Sequence, residues 1–205
     1  QSAIRQAQDD GIDVLCLPEL VTTGYGCEDM FLAPDVCDRA EVMLLEVARL
    51  APEMVIAVGL PWRHHNSVFN VAAIVTGGEI LGLYAKQNLA GDGVHYEPRW
   101  FSPWPAGEAV KTDICGKSVP LGDLLFEIDG VTIGLEICED AWVADRPGSI
   151  LSRYGADIIL NPSASHFAFS KQKVRERFIL EGSRAFGVAY VYANLLGNES
   201  GRMIF

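Results

Sequence analysis

The stretch VTIGLEICEDAW over 131–142, entered through Asp129-Gly130, restricts this chain more than any other. Asp-Gly is a strong two-residue hairpin turn, because both central positions of such a turn need positive φ. The β-branched run it feeds, Val131, Ile133 and Ile137, reads as a buried strand. That strand stops at Cys138, and the carboxylates Glu139 and Asp140 follow at once. Residues just past a rigid strand are where α/β proteins place chemistry. A thiol there is a candidate nucleophile, but free cysteine is also among the most buried residue types. The stretch alone leaves both readings open.

The rest of the chain alternates in the same manner. Periodicity predicts helices over 2–10, 39–50, 150–154 and 171–186. The second of these has Ala40, Met43, Leu44 and Val47 as its inner stripe. Short apolar strands are predicted at 14–17, at 55–60 (closed by Pro61), at 158–160 and at 189–193. Two hairpins are expected, 68–75 with 80–85 about Gly77-Gly78, and 124–128 with 131–137, and the chain ends inside a further one. The stretch 87–117 has little periodicity and carries Trp100, Trp104 and three prolines. Unstructured loops of that length are uncommon and tend to be functional. Helices alternating with paired strands predict an α/β class with a mixed sheet. A single domain over 1–205 is expected, cut at both ends.

Bulk properties narrow the function classes. A net charge of −11 argues against a nucleic-acid surface, which needs a basic stripe. No apolar run approaches the roughly 20 residues of a membrane span, and Gln1 opens no secretory signal. Cys16, Cys27, Cys37, Cys115 and Cys138 are irregularly spaced, which fits neither a disulfide framework nor a zinc site. Four histidines show no ligand spacing. A reducing, cytoplasmic setting without a metal is the simpler expectation.

Glu19, Lys86 and Cys138 each come just after a predicted buried strand, 67 and 52 residues apart. Each has a plain reading: a loop cap, an edge charge that discourages strand pairing, a core thiol. Those readings do not explain why a base, a cation and a thiol share one topological position. Acyl transfer does. A thiol of pKa about 8.5 is mostly protonated at neutral pH, a carboxylate within reach takes its proton as it attacks, and an ammonium stabilises the oxyanion that develops.

With these residues in view the chain resembles the nitrilase (carbon-nitrogen hydrolase) superfamily, through Cys-Glu-Asp-x-Trp at 138–142, Leu-Pro-Glu-Leu at 17–20 and the lysine-led loop from Lys86. Further motifs resemble the glutaminase domain of glutamine-dependent NAD synthetases. They are Thr23-Gly24-Tyr25, Gly93, Glu97, Arg-Trp-Phe-x-Pro-Trp at 99–104, Asn-Pro-Ser-Ala-Ser-His at 161–166 and Tyr-Ala-Asn at 192–194. The lysine loop and the 99–104 stretch look closer to the eukaryote-like branch. The resemblance implies an α-β-β-α sandwich of the carbon-nitrogen hydrolase type, truncated at both ends, with two such units pairing through helices. It implies Cys138 as nucleophile, Glu19 as general base, Lys86 as stabiliser of the tetrahedral intermediate, and Glu97 as the carboxylate orienting the lysine. Tyr25, Glu139 and Ser165 match positions that hold glutamine, and Lys171 stands near a basic substrate contact of some relatives. Glu139 suits a substrate α-ammonium, though it reads equally as a solvated charge, and Ser165 as a turn residue.

Two departures stand out. Leu89-Ala90-Gly91-Asp92 replaces the Leu-Pro-Asn-Tyr of many bacterial relatives, so their aromatic is missing. No Ser-Gly-Gly synthetase loop is present. The implied partners are glutamine and a synthetase domain that receives ammonia, in a homo-oligomer with no nucleic acid or membrane. No cofactor is implied for this domain, while ATP and magnesium are implied for the synthetase domain. A free-standing amidase acting on another amide, an inactive binding module and a metal-dependent hydrolase are the competing expectations.

Overall fold

The structure, a computed structural model, describes residues 1–50, 53–91, 94–199 and 203–205. The first half forms α1 (Ser2–Asp9), β1 (Val14–Cys16), a 3₁₀ segment (Tyr25–Leu32), α2 (Pro34–Leu50), β2 (Val55–His64), β3 (Ser67–Thr76) and β4 (Glu79–Ala85). A short α3 (Glu97–Trp100) leads to β5 (Ala109–Ile114), β6 (Lys117–Gly122), β7 (Phe126–Ile128) and β8 (Val131–Leu135). After a 3₁₀ turn (Cys138–Ala141) come α4 (Pro147–Arg153), β9 (Ile158–Ser163), α5 (Lys171–Phe186), β10 (Ala189–Asn194), β11 (Asn198–Glu199) and β12 (Met203–Ile204).

Two mixed sheets result. One runs β1-β2-β3-β4-β6-β5, the other β10-β9-β8-β7, and β11 with β12 makes a small ribbon. Alternation along the strands explains the layering. Ile56, Val58 and Leu60 of β2 face outward to Ile4, Ala40 and Leu44 of α1 and α2. Val55 and Ala57 face the other way, joining Ile74 and Tyr84 against Ile133, Leu135, Ile137 and Leu160 of the second sheet. Leu151, Ile159 and Val188 form a third apolar layer under α4 and α5. The order is therefore helix, sheet, sheet, helix.

The hairpin about Gly77-Gly78 and the Asp129-Gly130 turn form as expected, the latter with φ of 51° and 80° at its two residues. Several boundaries differ. α2 begins at Pro34, five residues early, because proline is tolerated in a first helical turn. Its buried stripe is Cys37, Ala40, Leu44 and Ala48, and Met43 is exposed. β2 continues through Pro61 to His64, since β1 pairs only with Val55–Ala57 and leaves the far edge needing no donor there. The supposedly unstructured 87–117 holds α3 and β5. β5 is an edge strand with five of six residues not buried, so it lacks the apolar alternation that marks a strand. α4 starts at Pro147, and β9 runs through Pro162 to Ser163.

Candidate active site

The reactive groups come from both sheets. Lys86 follows β4 directly, Glu19 lies three residues past β1, and Cys138 three residues past β8. Glu19, Lys86 and Glu97 are all fully buried. The Lys86 ammonium donates to Glu19 Oε1 at 2.6 Å and to both Glu97 oxygens at 2.8 Å. Asn70 of β3 donates to the same two carboxylates, at 2.7 Å and 3.0 Å. Backbone completes the set: Glu19 Oε2 accepts the Ala164 N–H at 2.8 Å, and Glu97 Oε2 also accepts the Ala90 N–H at 2.5 Å. Two carboxylates thus share one ammonium, and every carboxylate oxygen has a donor.

Burial and attraction pull these groups in opposite directions. For Glu19 burial prevails and the carboxyl titrates above its ordinary range, with the Glu97 charge adding to the rise and Lys86 opposing it. For Lys86 burial disfavours the charge, but Glu19 and Glu97 outweigh it and hold the ammonium protonated. Burial, reinforced by Glu19, pushes the Cys138 thiol well up, while Lys86 and the Ala164 N–H draw it down. The shifts run the same way for both groups: the thiol holds its proton more tightly, and Glu19 is a stronger proton acceptor than an ordinary carboxylate. Such a thiol needs a base at the moment of attack.

Cys138 itself has φ of 45°, an uncommon conformation for a side chain with a Cβ. The Ala164 N–H that donates to Glu19 also lowers the thiol's pKa, which places one backbone amide next to both nucleophile and carboxylate. The thiol opens onto a cavity of about 160 Å³ lined by His95, Glu139, Trp142, Ser165, His166 and Lys171. Glu139 and Lys171 give this cavity one acidic and one basic wall, and the Lys171 ammonium lies 5.5 Å over the Trp142 ring. Tyr25 is buried behind His95, its hydroxyl 3.2 Å from His95 Nδ1. His95 Nε2 is 2.8 Å from His166 Nδ1, which also lies 3.3 Å from the Lys171 ammonium. An ammonium only donates. His166 Nδ1 therefore accepts from Lys171, while the Tyr25 hydroxyl, which also lies against the Glu97 carboxylate, has one hydrogen for the two neighbours. Burial and the neighbouring His166 lower His95 to about 4, which keeps the ring neutral.

All eight site residues expected from the sequence converge on this region, on the cluster or its cavity, with Tyr25 between His95 and the Glu97 carboxylate. Gly93 lies outside the described residues. Sequence reasoning missed Asn70 and His95, and it had His166 and Asp140 only as members of motifs, with no role. It also missed Arg175 of α5, whose guanidinium holds the Ser165 and His166 carbonyls at 2.6 Å and 2.8 Å. Asn70 had a usable sign, as the lone amide in the apolar run VFNVAAIV over 68–75. Glu136, a carboxylate inside the nucleophile strand's apolar run, has a different partner set. It takes Arg146, Tyr190 and the Gly148 N–H on the helix side of the sheet, away from the cluster. Among the described residues no group of three or more His, Cys, Asp or Glu is placed to hold a metal ion. No helix among them is long and apolar enough to cross a membrane.

A family model described as carbon-nitrogen hydrolase matches residues 1–205. The glutamine-dependent NAD(+) synthetase of Saccharomyces cerevisiae is 31% identical over 214 residues, covering 99% of this chain and 30% of its own length. The crystal structure of a glutamine-dependent NAD(+) synthetase from Cytophaga hutchinsonii superposes with a TM-score of 0.92 at 43% identity, over 99% of this chain and 33% of that one. An amidase of the nitrilase superfamily from Nesterenkonia AN1 shares the fold at 22% identity and a TM-score of 0.79. This chain spans about a third of the length of the synthetases it matches.

Proposed function

This chain belongs to the carbon-nitrogen hydrolase family, and on that premise we propose that it is the glutaminase part of a glutamine-dependent NAD synthetase. One observation carries the reading: a thiol, a buried carboxylate and a buried ammonium meet beside a cavity with one acidic and one basic wall. A free amino acid bearing a side-chain amide has the matching charges. Glu139 receives its α-ammonium and Lys171 its α-carboxylate, with Ser165 between them and Tyr25 supporting the wall through His95. The higher identity and TM-score of the Cytophaga hutchinsonii synthetase favour this over a free-standing amidase.

In the proposed reaction Cys138 Sγ attacks the amide carbon while Glu19 accepts the thiol proton. Lys86 and a backbone N–H at the start of the Cys138–Ala141 turn hold the oxyanion. Glu97 and Asn70 keep the ammonium and the Glu19 carboxylate in place. The C–N bond then breaks, Glu19 returns its proton to the departing nitrogen as ammonia, and a γ-glutamyl thioester remains. Water attacks the thioester as Glu19 takes its proton, glutamate leaves, and the proton restores the thiol. Ammonia passes to a second reaction, amidation of deamido-NAD, for which ATP and magnesium would be bound by another part of a longer polypeptide. The reading supposes a cytoplasmic homo-oligomer; α5 buries only Gly182 of its residues, which leaves a face for a second unit to cover.

The test is Cys138→Ala in the full-length enzyme. Ammonia release from glutamine should vanish, while NAD formation from added ammonia persists. Undiminished glutamine hydrolysis would rule out Cys138 as nucleophile.

A further inference from the structure

Asp140 is fully buried, two residues past the nucleophile, and the thioester chemistry does not use it. A carboxylate in such a place is costly unless both oxygens are hydrogen-bonded. Here they are, and the donors come from connections that follow strands of two different sheets. Oδ2 accepts the Ile137 N–H at 2.9 Å, immediately before Cys138. Oδ1 accepts the Asn88 N–H at 2.8 Å, the Asn88 side-chain amide at 3.1 Å and the Gln87 N–H at 3.2 Å, immediately after Lys86. One carboxylate therefore ties the turn carrying the thiol to the loop carrying the ammonium. The turn needs such a tie: a non-glycine residue at φ 45° is strained and persists only where its surroundings over-determine it.

We propose that Asp140 is a positioning residue that sets the Cys138 thiol and the Lys86 ammonium at working distance across the junction of the two sheets. This rests on the reading that both groups act on one carbonyl. The role requires acceptors at both ends of the side chain. Asparagine is nearly isosteric but presents an N–H to one donor set, so it fills the space and breaks the tie. Burial raises the carboxyl to about 7, with the Ile137 and Asn88 donors and the Lys86 charge holding it down toward the acceptor form.

The test compares Asp140→Asn and Asn88→Ala with the wild type in the full-length enzyme. The readouts are kcat and KM for glutamine, thermal unfolding, and the rate at which iodoacetamide alkylates Cys138. Misplacement of reacting groups by about 1 Å can cost on the order of 100-fold, so Asp140→Asn should lower kcat by about 30-fold to 100-fold with KM within about threefold of wild type. Asn88→Ala removes only one of the contacts and should lower kcat by about threefold to tenfold, again without moving KM. Alkylation should change by about tenfold or more in Asp140→Asn, because the same groups set the thiol's reactivity. Wild-type kcat in Asp140→Asn, or a loss confined to KM, would overturn the proposal. If Asp140→Asn does not fold, unchanged kcat in Asn88→Ala overturns it instead. A wild-type enzyme that hydrolyses no glutamine would sink the functional reading alone; the alkylation rates then decide the role of Asp140.

Discussion

Lys86 is the residue on which the charge balance turns. It is the single cation between two carboxylates that are fully shielded from water. Removing one partner of such a cluster leaves uncompensated buried charge, which costs about 3–5 kcal/mol. Lys86→Met should lose about that much stability in urea unfolding, and its glutamine hydrolysis should fall by at least about 100-fold for want of an oxyanion donor. Wild-type stability in this variant would mean that the two carboxylates do not depend on the ammonium. At this scale the sequence was legible wherever a reactive side chain followed an apolar run, as at Glu19, Lys86 and Cys138. It was not legible where a side chain acts through another. Nothing local to His95, Asp140 or Arg175 tells that their partners are Tyr25, Asn88 and the Ser165 carbonyl.

The elements place these groups through close backbone approach. The loop carrying Glu19 lies directly on β2, where the Leu17 N–H donates to the Ala57 carbonyl and the Thr22 N–H to Gly59. A Cβ at Gly59 would sit 2.4 Å from Leu20 N and 2.6 Å from the Pro18 carbonyl oxygen, so only glycine lets the loop pass. Gly59→Ala should keep the secondary structure by circular dichroism but move Glu19, lowering kcat by about 10-fold to 100-fold. A kcat within twofold of wild type would show that the loop is not seated through this contact. Strong periodicity read the elements well, with α5 bounded as expected at Lys171–Phe186. The failures share a cause. Pro61 and the β5–β6 hairpin sit in strands because neighbouring strands accept them, and that tertiary permission leaves no mark in local pattern.

At the scale of the whole molecule, the site exists only because the two sheets pack face to face. Glu19, Lys86 and Glu97 come from connections of the first sheet, whereas Cys138 and Ala164 come from the second. The α/β class was readable from alternation, but the doubling of sheets was not, and it entered through the family resemblance. The central claim is therefore convergence: groups on separate sheets act together on one glutamine amide. The most direct measurement treats the folded protein with a glutamine analogue carrying a diazoketone in place of the amide, then maps the adduct by peptide mass spectrometry. Of the five cysteines, Cys115 is exposed and Cys138 buried, so accessibility alone would direct the label to Cys115. The account predicts one adduct, on Cys138, suppressed by glutamine. Labelling that follows exposure, or that glutamine fails to block, would contradict it.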